Sequence, residues 1–263
     1  TVLGSSSVNT LQLLTSGRVA VSSVEVLSGV TPGTETVVLI GPTGVAVTSR
    51  QIDMVIGTSL TDTLTIASSG TIAISAIETV IGSALYETLN LLDTAALSVR
   101  NIDMVVGDAT HDVVTMAVSG YMTVRGIQSV FGTALAVETV QLVSNGNVAT
   151  SEIDRIFGTI LGQETVTLLG SGAVAVNRVE AIQANAQAHQ VTVTLMTAGA
   201  VTVSAIDRVL GSVGSDTVTF APGQNVLEVY GVERVIGTSA TNDTVRLFTA
   251  SLVAVSAIES VLG

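Results

Sequence analysis

The chain has 263 residues, a formal charge of −12 and a pI near 4.3, with 47% hydrophobic, 11% charged and only 3% aromatic residues. Cysteine, tryptophan and lysine are absent, which excludes disulfide frameworks, zinc ribbons, thiol nucleophiles, P-loop lysines and Schiff bases. An acidic, aromatic-poor chain argues against nucleic acid as a partner, the apolar content argues against disorder, and no apolar run reaches the roughly 18 residues of a membrane helix.

One phrase recurs along the chain. It is weak at Val24-Glu25, then reads Ile52-Asp53-Met54-Val55-Ile56-Gly57, Ile77-Glu78-Thr79-Val80-Ile81-Gly82 and Ile102-Asp103-Met104-Val105-Val106-Gly107. It returns from Ile127, Ile153, Val179, Ile206, Val232 and Ile258. The anchors lie 25 to 28 residues apart, 26 on average. Each repeat reads as three short strands: Ile-Asp/Glu-x-Val-Ile closed by glycine, then a run such as Thr63–Ile66, then a run such as Ile72–Ser75. The alternation has period two and is rich in β-branched residues. Gly57, Gly82, Gly107, Gly132, Gly158, Gly211 and Gly237 follow the first strand, where a turn with positive φ is expected. Gly17, Gly44, Gly70, Gly120, Gly146, Gly172 and Gly199 precede the third.

One such repeat cannot bury its apolar face, so stacking is required. The predicted fold is an all-β parallel β-solenoid, one repeat domain over residues 1–263, with about ten coils of about 26 residues and three strands per coil. Identical side chains are then expected above one another, at strand spacings of about 4.8 Å. The hand is not determined by the sequence. Residues 1–4 and 260–263 share one phase and neither end carries a polar cap, so the ends are expected to be open.

Most acids fall on two columns. One follows the anchor: Glu25, Asp53, Glu78, Asp103, Asp154, Glu180, Asp207, Glu233 and Glu259, with Gln128 as the exception. The other is Glu35, Asp62, Glu87, Asp112, Glu138, Glu164, Asp216 and Asp243. Like charges stacked at strand spacing repel by roughly 1 kcal/mol per neighbour in water and more in a protein. Turn N–H groups, the arginines or bound cations must offset this.

The second column has a familiar surrounding. Gly57-Thr58-Ser59-Leu60-Thr61-Asp62-Thr63-Leu64-Thr65 and, more closely, Gly211-Ser212-Val213-Gly214-Ser215-Asp216-Thr217-Val218-Thr219 resemble the nonapeptide G-G-x-G-x-D-x-U-x of RTX (hemolysin-type) repeats. The chain is similar to the degenerate, longer repeats of large secreted bacterial surface or fibre proteins. This resemblance implies calcium at Asp62, Asp112, Asp216 and Asp243, and an extracellular or cell-surface bacterial location. The second glycine of the nonapeptide is replaced throughout, the fourth is usually lost, and a turn of 26 residues, unlike one of 18, would not pair calcium loops on opposite edges. The other reading of these acids is structural: carboxylates accepting turn N–H groups, as Asx residues do.

The sequence offers little chemistry beyond this. The two histidines, His111 and His189, stand alone, and no metalloprotease, hydrolase or Cys/His motif occurs. The acids repeat evenly, which marks scaffold and not a single site, so no enzymatic activity is expected. The expected function is structural: a filament, sheath, surface layer or adhesin stalk whose principal partner is the chain itself, end to end or laterally, with a cell-surface or carbohydrate ligand as a further partner. No cofactor is required on this reading. The alternatives are a calcium-responsive RTX-type adhesion module and, more remotely, an ice-binding solenoid using pairs such as Thr63/Thr65, Thr165/Thr167 and Thr217/Thr219.

Overall fold

The computed structural model describes residues 1–30, 33–93, 96–108, 111–134, 136–160, 162–185, 187–222, 224, 226–239, 242–248 and 252–263. The chain is a parallel β-solenoid with no helix among these residues. It divides into two units, Thr1–Ser129 and Val130–Gly263. In each, successive strands alternate between two sheets, and every strand pairs in parallel with the next but one in sequence. Among the described residues each unit has eight rungs in one sheet and seven in the other, the strand Ser129–Phe131 lying at the division.

A turn therefore contains two strands, not three, and the chain makes about 14 turns in place of the expected ten. The three strands of a sequence repeat are present, but they occupy one and a half turns. Successive turns advance 19, 17 and 16 residues (Met54 to Ala73, Gly70 to Glu87, Thr88 to Met104), together 52, within two residues of the 50 that separate Ile52 from Ile102 two repeats on. The first strands of consecutive repeats consequently lie in opposite sheets: Met54–Ile56 and Met104–Val106 in one, Thr79–Ile81 in the other. Equivalent positions of the repeat do not stack on neighbouring rungs. Each strand type instead pairs with the other two.

The apolar positions tolerate this because all three strand types present the same alternation. In the first unit Val37, Val55, Ile74 and Leu91 form one inward column and Ile72, Leu89, Val105 and Val124 another. All eight are buried. In the second, Val140, Ile156, Val176 and Leu195 do the same. Burial of an aliphatic side chain contributes roughly 1.5–3 kcal/mol. The anchors from Val24 to Val232 are buried at the corners.

Those corners are built by a device other than the one expected. The residue immediately before each anchor is left-handed: Ser23, Gln51, Ala76, Asn101, Glu152, Arg178, Ala205 and Ala257 at φ between 50 and 56°, with glycine there only at Gly126 and Gly231. The glycine closing the first strand does not have positive φ. It is needed because the carbonyl of the left-handed corner one turn on points at it. A Cβ on Gly57 would lie 1.8 Å from the Ala76 carbonyl oxygen, and one on Gly158 1.8 Å from that of Arg178. Glycines that do use positive φ are found in the other set, such as Gly70 at 126°.

Candidate functional site

The repeated polar chemistry of the fold is its carboxylate ladder. In a second strand such as Glu87–Leu91 the side chains of 87, 89 and 91 point inward. The acid that opens the strand is thus in phase with the core, and Glu35, Asp62, Glu87, Asp112, Glu138, Glu164, Asp216 and Asp243 are all buried, at 0–1% exposure. This column does not contribute a solvated acidic face.

The anchor acids reach back to these positions from the next rung of the same sheet. Asp53 accepts the Glu35 N–H at 2.8 Å, Glu78 that of Asp62 at 2.7 Å, Asp103 that of Glu87 at 2.9 Å and Asp154 that of Glu138 at 2.8 Å. Glu180, Glu233 and Glu259 do the same for Glu164, Asp216 and Asp243 at 2.9, 2.8 and 2.7 Å. Gln128 uses its amide oxygen on the Asp112 N–H at 2.7 Å, so the role requires an acceptor and not a charge. Glu25 caps Asn9 in the same way at 2.7 Å, and Asp207 caps Val191 at 2.8 Å. The two columns are therefore one set of pairs, each separated from the next by the rung of a third strand.

The buried members divide by length. Asp62 has both oxygens occupied: Oδ2 accepts the Thr58 N–H at 2.5 Å and the Thr58 hydroxyl at 2.9 Å, while Oδ1 accepts the Val45 N–H from the preceding rung at 2.6 Å. Asp216 repeats this with Ser212 and Gly199. Asp112 and Asp243 cap the N–H groups of Asp108 and Thr238 at 3.0 and 2.5 Å. The glutamates cap with Oε1 alone. Glu138 takes the Thr133 N–H and hydroxyl at 3.2 and 2.8 Å, Glu164 the Thr159 pair at 3.3 and 2.6 Å, Glu87 both groups of Ser83, and Glu35 the Val30 N–H at 3.5 Å. The N–H that would meet the second oxygen is used elsewhere: the Gly70 N–H goes to the Tyr86 carbonyl, the Gly146 N–H to that of Gln163.

Pair lengths are complementary. Asn9–Glu25, Glu35–Asp53, Asp62–Glu78, Glu87–Asp103, Asp112–Gln128, Glu138–Asp154, Asp216–Glu233 and Asp243–Glu259 each join one short and one long side chain across a rung, and Glu164–Glu180 departs from this. Burial and the adjacent Asp53 carboxyl push Glu35 above the ordinary carboxylate range. Burial and Glu164 push Glu180 the same way.

The four aspartates assigned to calcium by sequence resemblance lie in separate turns, each beside its own anchor residue and not beside one another. Among the described residues no group of three or more His, Asp or Glu side chains converges on one point. Among the described residues the ion pairs of the arginines run to neither column. Arg208 and Arg246 meet Glu228, a member of neither column, at 2.7 and 4.0 Å. Beside them Tyr230 stacks on Phe248 with centroids 5.1 Å apart, and the Arg208 guanidinium lies 5.5 Å from the Tyr230 ring centre. This patch was not legible in the repeat, because Glu228, Tyr230 and Phe248 are departures from it. The threonine pairs do not form an array: Thr63 and Thr65 are flanked on their rungs by Thr79 and Ile81 on one side, Ala46 and Thr48 on the other. His189 is exposed, its N–H donating to the Ser171 hydroxyl.

No protein-family model, no curated protein and no solved structure matches this chain.

Proposed function

We propose that the chain is a structural repeat module of an extracellular or cell-surface bacterial protein, acting as a filament, sheath, surface-layer or stalk segment and associating with further copies of itself. The observation that carries this reading is the sameness of the carboxylate pairs. Reactive sites are built once, on one turn, whereas here the same buried acid and the same cap recur in turn after turn. The chemistry is spent on holding rungs together, through strand pairing and aliphatic columns along each sheet. An enzymatic reading has no comparable support. Electron microscopy of the purified chain and of the native material tests the proposal. Uniform filaments or lateral arrays are expected; particles that stay monomeric at high concentration and also in the native material would overturn it.

A calcium-responsive, RTX-type reading has one observation in its favour. Turns of 16 to 19 residues in two sheets remove the objection raised by a 26-residue coil. Against it, the oxygens of Asp62 and Asp216 are already engaged by N–H and hydroxyl donors. The expected result is that millimolar calcium, compared with chelator, leaves the melting temperature unchanged. A rise that disappears in Asp62→Asn and Asp216→Asn would establish calcium at these turns.

A further inference from the structure

Among the described residues four buried side-chain polar atoms have no hydrogen-bond partner: Oε2 of Glu35, Glu87, Glu138 and Glu164. An unpartnered buried carboxylate oxygen is costly, and more so beside a second carboxyl group. All four belong to the same structural position, all four cap a turn through Oε1, and each lies on the rung next to an anchor acid that accepts its backbone N–H. We infer that each of the pairs Glu35–Asp53, Glu87–Asp103, Glu138–Asp154 and Glu164–Glu180 retains one proton, shared between the buried Oε2 and the carboxyl group of the anchor acid on the next rung.

The chain contains its own analogue of this bond. At the first pair the buried member is an amide, and Asn9 Nδ2 donates to Glu25 Oε2 at 3.3 Å, as a carboxyl O–H would. The side chains of Glu35 and Asp53, and of Glu164 and Glu180, stand within hydrogen-bonding reach of each other. No compensating cation is nearby: among the described residues the Arg–carboxylate pairs all involve Glu228. The titratable groups facing the four are Asp53, Asp103, Asp154 and Glu180. Each of the four anchor acids lines a surface cavity, which gives water access to that side of the pair; the cavity beside Asp103, also lined by Ser83, Asn101 and Tyr121, has a volume of 390 Å³. The aspartate members differ because they are one methylene shorter. In Asp62 and Asp216 the second oxygen stays within reach of a backbone N–H of the preceding rung, so it has a donor without a retained proton.

The inference has a sign. Unfolded, these glutamates titrate near about 4.3. Folded, Glu35 is raised by burial and by Asp53, so the native state binds more protons than the unfolded chain between the two values. The stabilisation is complete below the unfolded pKa and is lost as pH rises through the folded one. Four retained protons also change the formal charge from −12 to −8.

The test uses the intact chain. Infrared spectra in D₂O at neutral pH should show the carbonyl stretch of protonated carboxylic acids, and thermal melts should give a melting temperature that falls by several degrees between about pH 5 and pH 8. Glu87→Gln retains both a donor and an acceptor. Combined with Glu35→Gln, Glu138→Gln and Glu164→Gln, it should fold, lose the infrared band and flatten the pH dependence. A neutral-pH spectrum of the native chain without a carboxylic acid band overturns the inference, even if the variant does not fold. So does a melting temperature that rises or stays level over that pH range, or one that calcium raises while abolishing the slope, which would put a cation where the proton is placed here.

Discussion

Replacing Gly57 with alanine should destabilise the first unit by more than about 4 kcal/mol, the range reserved for backbone clashes and broken cores. The new Cβ would stand 1.8 Å from the Ala76 carbonyl oxygen and 2.7 Å from Asp62 Oδ2, and two of its three nearest atoms are backbone, which cannot swing aside. Relief requires parting two turns at their corner. Gly70→Ala is the control: φ is +126° there, but no atom lies within 4 Å of the added carbon, so only backbone strain of about 1–3 kcal/mol is expected. Ala76→Gly should move the other way, gaining about 1 kcal/mol by removing a side chain from a left-handed residue at φ 50°. Chemical denaturation of the three variants measures the order. If Gly57→Ala proved the milder of the two alanine substitutions, the carbonyl-to-glycine contact would not be what locks successive turns.

Exchanging the lengths of one acid pair should reveal strong coupling. Glu87→Asp withdraws the carboxyl group from its place over Ser83, and Asp103→Glu overfills the reach to the residue 87 N–H. Each alone should cost about 1–3 kcal/mol, the scale of a buried polar group that loses its partner. Together they recreate the Asp62–Glu78 arrangement already used by the fold, in which both aspartate oxygens find donors. The double variant should therefore be more stable than the sum of its parts by about 0.5–3 kcal/mol. Strict additivity in a double-mutant cycle would mean that the complementary lengths have no energetic basis.

Much of this architecture can be read in the residues. The period-two alternation around Val55, Leu64 and Ile74 specifies strands, and the recurrence of the anchor phrase specifies a stacked parallel fold. The number of strands per turn cannot be read the same way. All three strand types present interchangeable aliphatic faces, so nothing in the apolar pattern states whether a rung returns after two strands or three. Left-handed corners at Gln51, Ala76 and Arg178 punctuate the turns, and these residue types carry no signature of that conformation. The acid ladder was legible in position but not in environment. Parity contained the missing information: Glu87 lies two and four residues from Leu89 and Leu91, and so belongs to the core side. The alternation of long and short acids across 16 to 18 residues was also present in the sequence, but it becomes visible only once the rung that joins Glu35 to Asp53 is known. The Arg208–Glu228–Tyr230–Phe248 patch lies outside the consensus, and no periodic argument reaches it.

The mismatch between a repeat of 26 residues and a turn of two strands bears on how such a chain changes over generations. Recombination that deletes or duplicates one repeat within a unit displaces everything downstream by half a revolution, exchanging the two sheets. The interior accepts the exchange, since either sheet receives any of the three strand types. The exterior does not remain the same, because a surface feature that faced one way faces the opposite way after an odd number of copies and returns after an even number. Changes in copy number thus leave folding intact while toggling which side of the protein displays each mark.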